Sequence, residues 1–235
     1  MKKILKRILF NPFIAKWITR ILVKIHQASY TYIGSFASAA EGGLHPKHRL
    51  INYHKFFADN VASGETVLDV GCGNGALLRD VAMKTKAYAL GIEISKDNVK
   101  SAKVRLLDLP NVQIIEGDIW EYNGDRRFDI VMLSNVLEHL DKRVALLKYL
   151  NEKIKPNKFL FRVPMFEREW LVPYKKELGI ASRLDPTHKI EYTEVEFRDE
   201  LARADLDMQK ILFRWGEIYA VAVPSSKGID DCSKQ

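Results

Sequence analysis

The residues whose types and spacing could do chemistry fall into two sets, and the first begins with glycines. In V-L-D-V-G-C-G-N-G (67–75), Gly71, Gly73 and Gly75 alternate directly behind an apolar run that contains Asp69. Glycine adopts backbone conformations closed to other residues and lets a ligand approach where a Cβ would exclude it. Cys72 and Asn74 complete that turn. Glu93 stands about 20 residues further on, in G-I-E-I-S beside Ile94, where a carboxylate can accept both hydroxyls of a ribose. Asp118 and Ile119, in E-G-D-I-W, offer a carboxylate to an adenine amino group and an apolar side chain to its ring. Taken singly, each carboxylate also reads as a solvated loop residue, and the glycines as a plain tight turn. Three carboxylates at successive strand ends point to one ligand crevice.

The second set is richer in side-chain chemistry. R-L-D-P-T-H-K-I-E-Y-T (183–193) holds Asp185, His188 and Glu191 within a short span. Histidine exchanges a proton near neutral pH, and either neighbouring carboxylate could orient it. As a competing role, His188 could simply be a loop histidine ahead of the next helix. Arg162, Arg168 and Lys175-Lys176, with Tyr192, could grip a carboxylate or phosphate of a second reactant, or could be ordinary surface residues. Upstream, in G-G-L-H-P-K-H-R-L-I-N-Y-H-K-F-F (42–57), His48 or Arg49 could meet a ligand carboxylate and Tyr53 could cover it. Otherwise Tyr53, Phe56 and Phe57 are helix core.

The elements that must position these residues alternate along the chain, as in parallel βαβ units. Strands are expected at 66–70, 87–93, 111–116, 128–133 and 159–163. Helices are expected at 74–84, from a Ser95 cap to about 107, and over 135–151. The alternation then stops. Residues 164–192 read as an insertion with at most one short helix. Thr193 caps a further helix, and two strands close the domain near 207–214 and 217–223. The organisation expected is an N-terminal arm or lid over 1–60, a domain over 61–224 and a polar tail over 225–235.

Charge sets the arm apart. Lys2, Lys3, Lys6, Arg7, Lys16, Arg20 and Lys24 meet no Asp or Glu before residue 41, and the remainder balances 30 basic against 30 acidic residues. The net +7 therefore belongs to the arm, which argues against a nucleic-acid surface around the crevice. Ile4, Leu5, Ile8 and Leu9 form one apolar helical stripe, and Ile14, Trp17, Ile18, Ile21, Leu22 and Ile25 another, with Asn11-Pro12 as a helix restart. Charges interrupt it too often for a transmembrane span. Residues 1–26 could lie on an anionic membrane surface, or could form a lid or a homodimer contact. The two cysteines, Cys72 and Cys232, form no pair or metal signature, which fits a reducing cytoplasm or its face of the inner membrane.

D-V-G-C-G-N-G, G-I-E-I-S, E-G-D-I-W and F-D-I-V-M-L-S-N-V-L-E-H-L together resemble the class I S-adenosylmethionine-dependent methyltransferases over residues 66–163. The resemblance implies an α/β, Rossmann-like, seven-stranded, mostly parallel sheet with helices on both faces and one antiparallel strand. It implies S-adenosyl-L-methionine as cofactor, with its methionine part along Gly71, Cys72, Gly73, Asn74 and Gly75 near Asp69. Glu93 and Ile94 would meet the ribose, Asp118 and Ile119 the adenine, and Ser134-Asn135 would flank the methyl sulfonium. The Asn/Asp-Pro-Pro-aromatic tetrad of base-amine methylating enzymes is replaced here by Ser134-Asn135-Val136-Leu137. S-N-V-L-E-H looks more like O-methyltransferases of small molecules, quinone precursors among them. Some of these use a divalent cation near the Glu-His pair, but Asn135 replaces an upstream Glu, so no metal is assigned.

The implied function is O-methylation of a small or lipid-linked acceptor, a glycan or quinone-like hydroxyl, with His188 as base oriented by Asp185 or Glu191. The competing readings are an RNA or protein methyltransferase, which predicts basic residues at the crevice, and a non-catalytic, membrane-associated cofactor-binding subunit, which would tolerate loss of His188.

Overall fold

The structure is a computed structural model that describes residues 9–42, 45–124 and 126–226. Ile4, Leu5, Ile8, Cys232 and most of the expected tail lie outside the described residues. The chain divides into two units, Met1–Asn52 with Trp170–Ser182, and Tyr53–Glu169 with Arg183–Gln235.

In the first unit, α1 runs from Pro12 to Ala40, α2 from Lys47 to Ile51 and α7 from Leu171 to Glu177. Asn11 caps α1 by accepting from the Phe13 N–H at 3.1 Å, and Pro12 occupies the first turn, where its missing N–H costs nothing. The helix continues well past Ile25, where the expected apolar stripe ends. Its small polar residues are satisfied within the helix: Thr19, Thr31 and Ser35 each donate to the carbonyl four residues back. Arg20 donates twice to the Leu178 carbonyl, at 3.1 and 2.9 Å, and Gln27 donates to that of Ala181 at 2.8 Å.

In the second unit, the elements are α3 (His54–Asp59), β1 (Thr66–Val70), α4 (Ala76–Thr85), β2 (Tyr88–Glu93), α5 (Lys96–Arg105), β3 (Val112–Glu116), β4 (Ile130–Ser134), α6 (Arg143–Ile154), β5 (Lys158–Pro164), α8 (Glu194–Arg203), β6 (Leu206–Arg214) and β7 (Glu217–Pro224). The sheet order is β3-β2-β1-β4-β5-β7-β6, with β7 antiparallel to both its neighbours and the other pairings parallel. This is the seven-stranded fold the resemblance implies. The central strands are buried on both faces, so they read as continuous apolar runs, while the edge strand β3 alternates.

Successive side chains go to opposite layers. Val67, Ile130, Met132 and Leu160 pack with Phe57, Leu78 and Val81; Leu68, Val131, Leu133 and Phe161 pack with Leu146, Leu150, Phe197 and Leu201. Thr193 and Glu196 form a reciprocal capping box at the start of α8, and Ser95 caps α5.

One expected helix is corrected. The periodicity from Asn135 does not form a helix there: Asn135 is left-handed at φ 57°, a single 3₁₀ turn spans Leu137–His139, and α6 starts only at Arg143. Asn tolerates that conformation, and its N–H is held by the Arg162 carbonyl at 2.8 Å, which turns the chain sharply off β4. The apolar spacing of Val136, Leu137 and Leu140 records burial in the sheet's core, not one continuous helix. Of residues 164–192, Trp170–Ser182 fall in the first unit.

Candidate active site

At the carboxyl end of β1, Gly71, Gly73 and Gly75 all have positive φ, 68°, 55° and 75°. A Cβ on Gly71 would lie 2.8 Å from Val136, and one on Gly75 2.8 Å from Leu106, so both positions are closed by packing. A Cβ on Gly73 would meet nothing within 4 Å, so there the turn's backbone faces open space. Glu93 ties this turn down: its Oε2 accepts from the Gly73 N–H and its Oε1 from the Ser95 N–H, both at 2.8 Å. A carboxylate oxygen has two acceptor sites, so Glu93 retains capacity for ligand hydroxyls.

Asp69 is buried and its Oδ2 has no partner among the described residues. Burial, with the charge of Glu93, pushes its pKa up to about 8. An orphaned buried carboxylate oxygen beside an open glycine turn fits a ligand that brings its own donors. Burial, then Asp69 and Glu93, push the Cys72 thiol above its ordinary range. A Cβ on Gly91 would fall 2.6 Å from Cys72 Sγ, so Gly91 is a supporting residue the sequence reading missed. Its only signal was a glycine inside a strand.

Asp118 caps a 3₁₀ turn by accepting from the Trp120 N–H at 3.0 Å, with Ile119 buried behind it and Ile94 exposed. Ser134 ends β4, and Asn135 donates from Nδ2 to Glu138 Oε1 at 2.9 Å. That bond joins the two sets of residues.

Glu138 is fully buried, its Oε2 has no partner among the described residues, and burial pushes its pKa up to about 7. His139 and His188 meet edge to face with centroids 4.8 Å apart. His188 Nδ1 lies 3.1 Å from Glu191 Oε1, so the bond assigns the proton to Nδ1 and leaves Nε2 as the basic nitrogen. Burial works to raise the Glu191 carboxyl, but bonds from His188, the Leu184 N–H and Arg168 hold it below its ordinary value. His139 Nδ1 lies 2.9 Å from Thr187 Oγ1, which donates to Asp185 at 2.6 Å. Burial and the neighbouring His188 lower the His139 pKa. Each ring thus has Nδ1 backed by an oxygen. One donor atom from each of Glu138, His139 and His188 lies within 4.8 Å of the others, a set that could hold a divalent cation.

Several expected roles change. Asp185 reaches His139 through Thr187, and Glu191 is the residue that orients His188. Arg162 makes a two-point ion pair with Glu217, both contacts 2.7 Å, under the Tyr53 ring at 3.9 Å, so its charge is already matched. Arg168 is committed to Glu191 and to the Met165 carbonyl. Tyr192 is fully buried and donates to Glu200 at 2.6 Å, a framework contact. All three are engaged by protein partners. His48, Arg49 and Lys175-Lys176 belong to the first unit, where Arg49 pairs with Glu41. Thr187, unmarked in the sequence reading, carried no signal except its place before His188.

Residues 67–157 match the family model described as a methyltransferase domain. A "Probable (S)-tetrahydroprotoberberine N-methyltransferase 2" from Papaver bracteatum is 31% identical over 46% of this chain and 32% of its own length. The "Ubiquinone biosynthesis O-methyltransferase" of Proteus mirabilis is 30% identical over 52% of this chain and 51% of its own. The chain thus spans a third to a half of these relatives. The solved magnesium protoporphyrin IX methyltransferase of Synechocystis, with bound SAH, superposes over 96% of this chain and 100% of its own with a TM-score of 0.57 at 17% identity. At that identity it supports the fold alone.

Proposed function

The chain belongs to the class I S-adenosylmethionine-dependent methyltransferase superfamily, and on that premise we propose that it methylates a hydroxyl of a small or lipid-linked acceptor, glycan or quinone-like. S-adenosylmethionine supplies, when bound, a methyl group already activated by its sulfonium. The protein's share is then positioning and removal of one proton.

Gly71, Gly73 and Gly75 cradle the methionine part beside Asp69, Glu93 takes the ribose hydroxyls, and Asp118 with Ile119 takes the adenine. The observation that carries the acceptor side is His188 held through Nδ1 by Glu191, next to the Asn135–Glu138 bond. His188 Nε2 would take the proton of the acceptor hydroxyl whose oxygen receives the methyl group that the cofactor would supply. Glu191, itself clamped by Arg168, stabilises the imidazolium. The charge balance outside the arm supports a small acceptor over RNA.

A second reading rests on the Glu138–His139–His188 cluster: a divalent cation held there would lower the pKa of an acceptor hydroxyl. Incubation with radiolabelled cofactor and fractionated cell extract tests the first reading, with label expected in a glycan, lipid or quinone fraction. Label in RNA or protein, or in nothing, overturns it. Chelator decides between base and cation. Activity that survives EDTA supports His188 as base; activity lost and restored by Mn2+, with Mn2+ binding abolished in Glu138→Gln, supports the cation.

A further inference from the structure

The outward face of α1 is more apolar than solvent exposure favours. Ile14, Trp17, Ile21, Ile25, Tyr32 and Phe36 follow helical spacing along one stripe, and all six are exposed, Trp17 at 64% and Phe36 at 72%. The opposite side carries Thr19, Val23 and Gln27, where Val23 is buried. Lys24 borders the stripe, while Arg20 and Lys16 step round the helix toward the Val23 side, where Arg20 donates to the Leu178 carbonyl. The whole segment to residue 40 has seven basic residues and no acidic one. Solvent would normally meet the polar face of a helix, so an apolar stripe on the outside calls for an occupant.

We propose that α1 lies flat on an anionic lipid surface, with the stripe among the acyl chains and Lys24 at its border against the headgroups. No helix among the described residues is long and apolar enough to cross a membrane, so α1 rests on the bilayer. Tryptophan and tyrosine favour the depth where hydrocarbon meets headgroup, and Trp17 and Tyr32 share this stripe. Charge selects lipid over a second copy of this chain. Two copies of α1 packed stripe to stripe would bring together helices that hold Lys16, Arg20 and Lys24 and no acid, whereas an anionic leaflet matches their charge.

The test is sedimentation of the full chain with vesicles. Binding is expected to phosphatidylcholine vesicles that contain phosphatidylglycerol, and to fall at least about tenfold in pure phosphatidylcholine or high salt. Lys16→Glu with Lys24→Glu should lower partitioning at least about thirtyfold, at roughly one decade or less per charge removed. Trp17→Ala with Ile21→Ala should lower it about tenfold or more by loss of buried apolar area. Both pairs are exposed and outside the candidate site, so unchanged binding of S-adenosylhomocysteine reports that the variants fold. Equal binding to neutral vesicles, or double variants that bind as the parent does, overturns the proposal. So does a stable dimer in light scattering that Trp17→Ala with Ile21→Ala converts to monomer without any vesicle binding by the parent.

Discussion

Around the glycine turn, the groups that would meet a ligand are backbone N–H groups and carboxylates at successive strand ends, all within 69–119. Around His188 they are the side chains of Glu138, His139 and His188, from two distant stretches, with the Thr187 hydroxyl and the Glu191 carboxylate behind the two rings. The first half is shaped by local chain geometry and leaves Oδ2 of its buried acid, Asp69, without a partner among the described residues. The second is shaped by a hydrogen-bond relay in which each histidine is fixed through Nδ1. A site of the first kind suits a ligand common to a whole family; one of the second kind suits chemistry that must be aimed at one atom.

The comparison breaks most visibly at His188. His188→Ala should lower turnover about 10²–10⁴-fold while affinity for S-adenosylhomocysteine stays near normal. A variant with full turnover on its acceptor would remove His188 from the chemistry and leave the Glu138–His139 pair to be examined. Glu93→Ala acts in the opposite half. It removes the bonds from Gly73 and Ser95 and the acceptor proposed for the ribose, and should cost roughly 1.5–3 kcal/mol of cofactor binding by calorimetry. Unchanged affinity there would be incompatible with the assigned cradle.

Asp69 gives a pH test. Its folded pKa of about 8 lies above the roughly 4 of an unfolded carboxyl, so between those values only the folded chain holds the proton. Stability of the ligand-free protein is therefore lost as pH rises through that window. Asp69→Asn removes the loss, so its melting temperature should gain on the parent from pH 5 to pH 8. A constant gap across that range would show that Asp69 ionises in the folded protein as it does in the unfolded chain. The smallest effect belongs to Asp118→Ala, which should weaken cofactor binding by about tenfold or less because the apolar contact proposed for Ile119 would remain. A loss larger than that of Glu93→Ala would reverse the order of the two carboxylates.

Much of this was legible in advance, for identifiable reasons. Thr66–Val70, Tyr88–Glu93 and Ile130–Ser134 are strands because β-branched and apolar runs too short for helices end at turn residues. Asn11-Pro12, Ser95 and Thr193 cap the helices expected to follow them, since a cap is satisfied by residues two or three positions away. The stretch after β4 carries helical spacing without forming a helix because burial on a turn and burial on a helix leave the same apolar pattern. Arg162 and Tyr192 looked available to a reactant because their partners, Glu217 and Glu200, come from β7 and α8.

The sequence by itself determined the sheet's strands, the glycine turn and the acids that follow it, because each depends on backbone conformation or on neighbours a few residues away. Only the tertiary structure decided that Glu138, His139 and His188 meet, that Asp185 serves His139 instead of His188, and which arginines are already matched. Those outcomes depend on contacts between distant segments, where burial removes water as the alternative partner and leaves each polar group to whatever side chain the fold brings within reach.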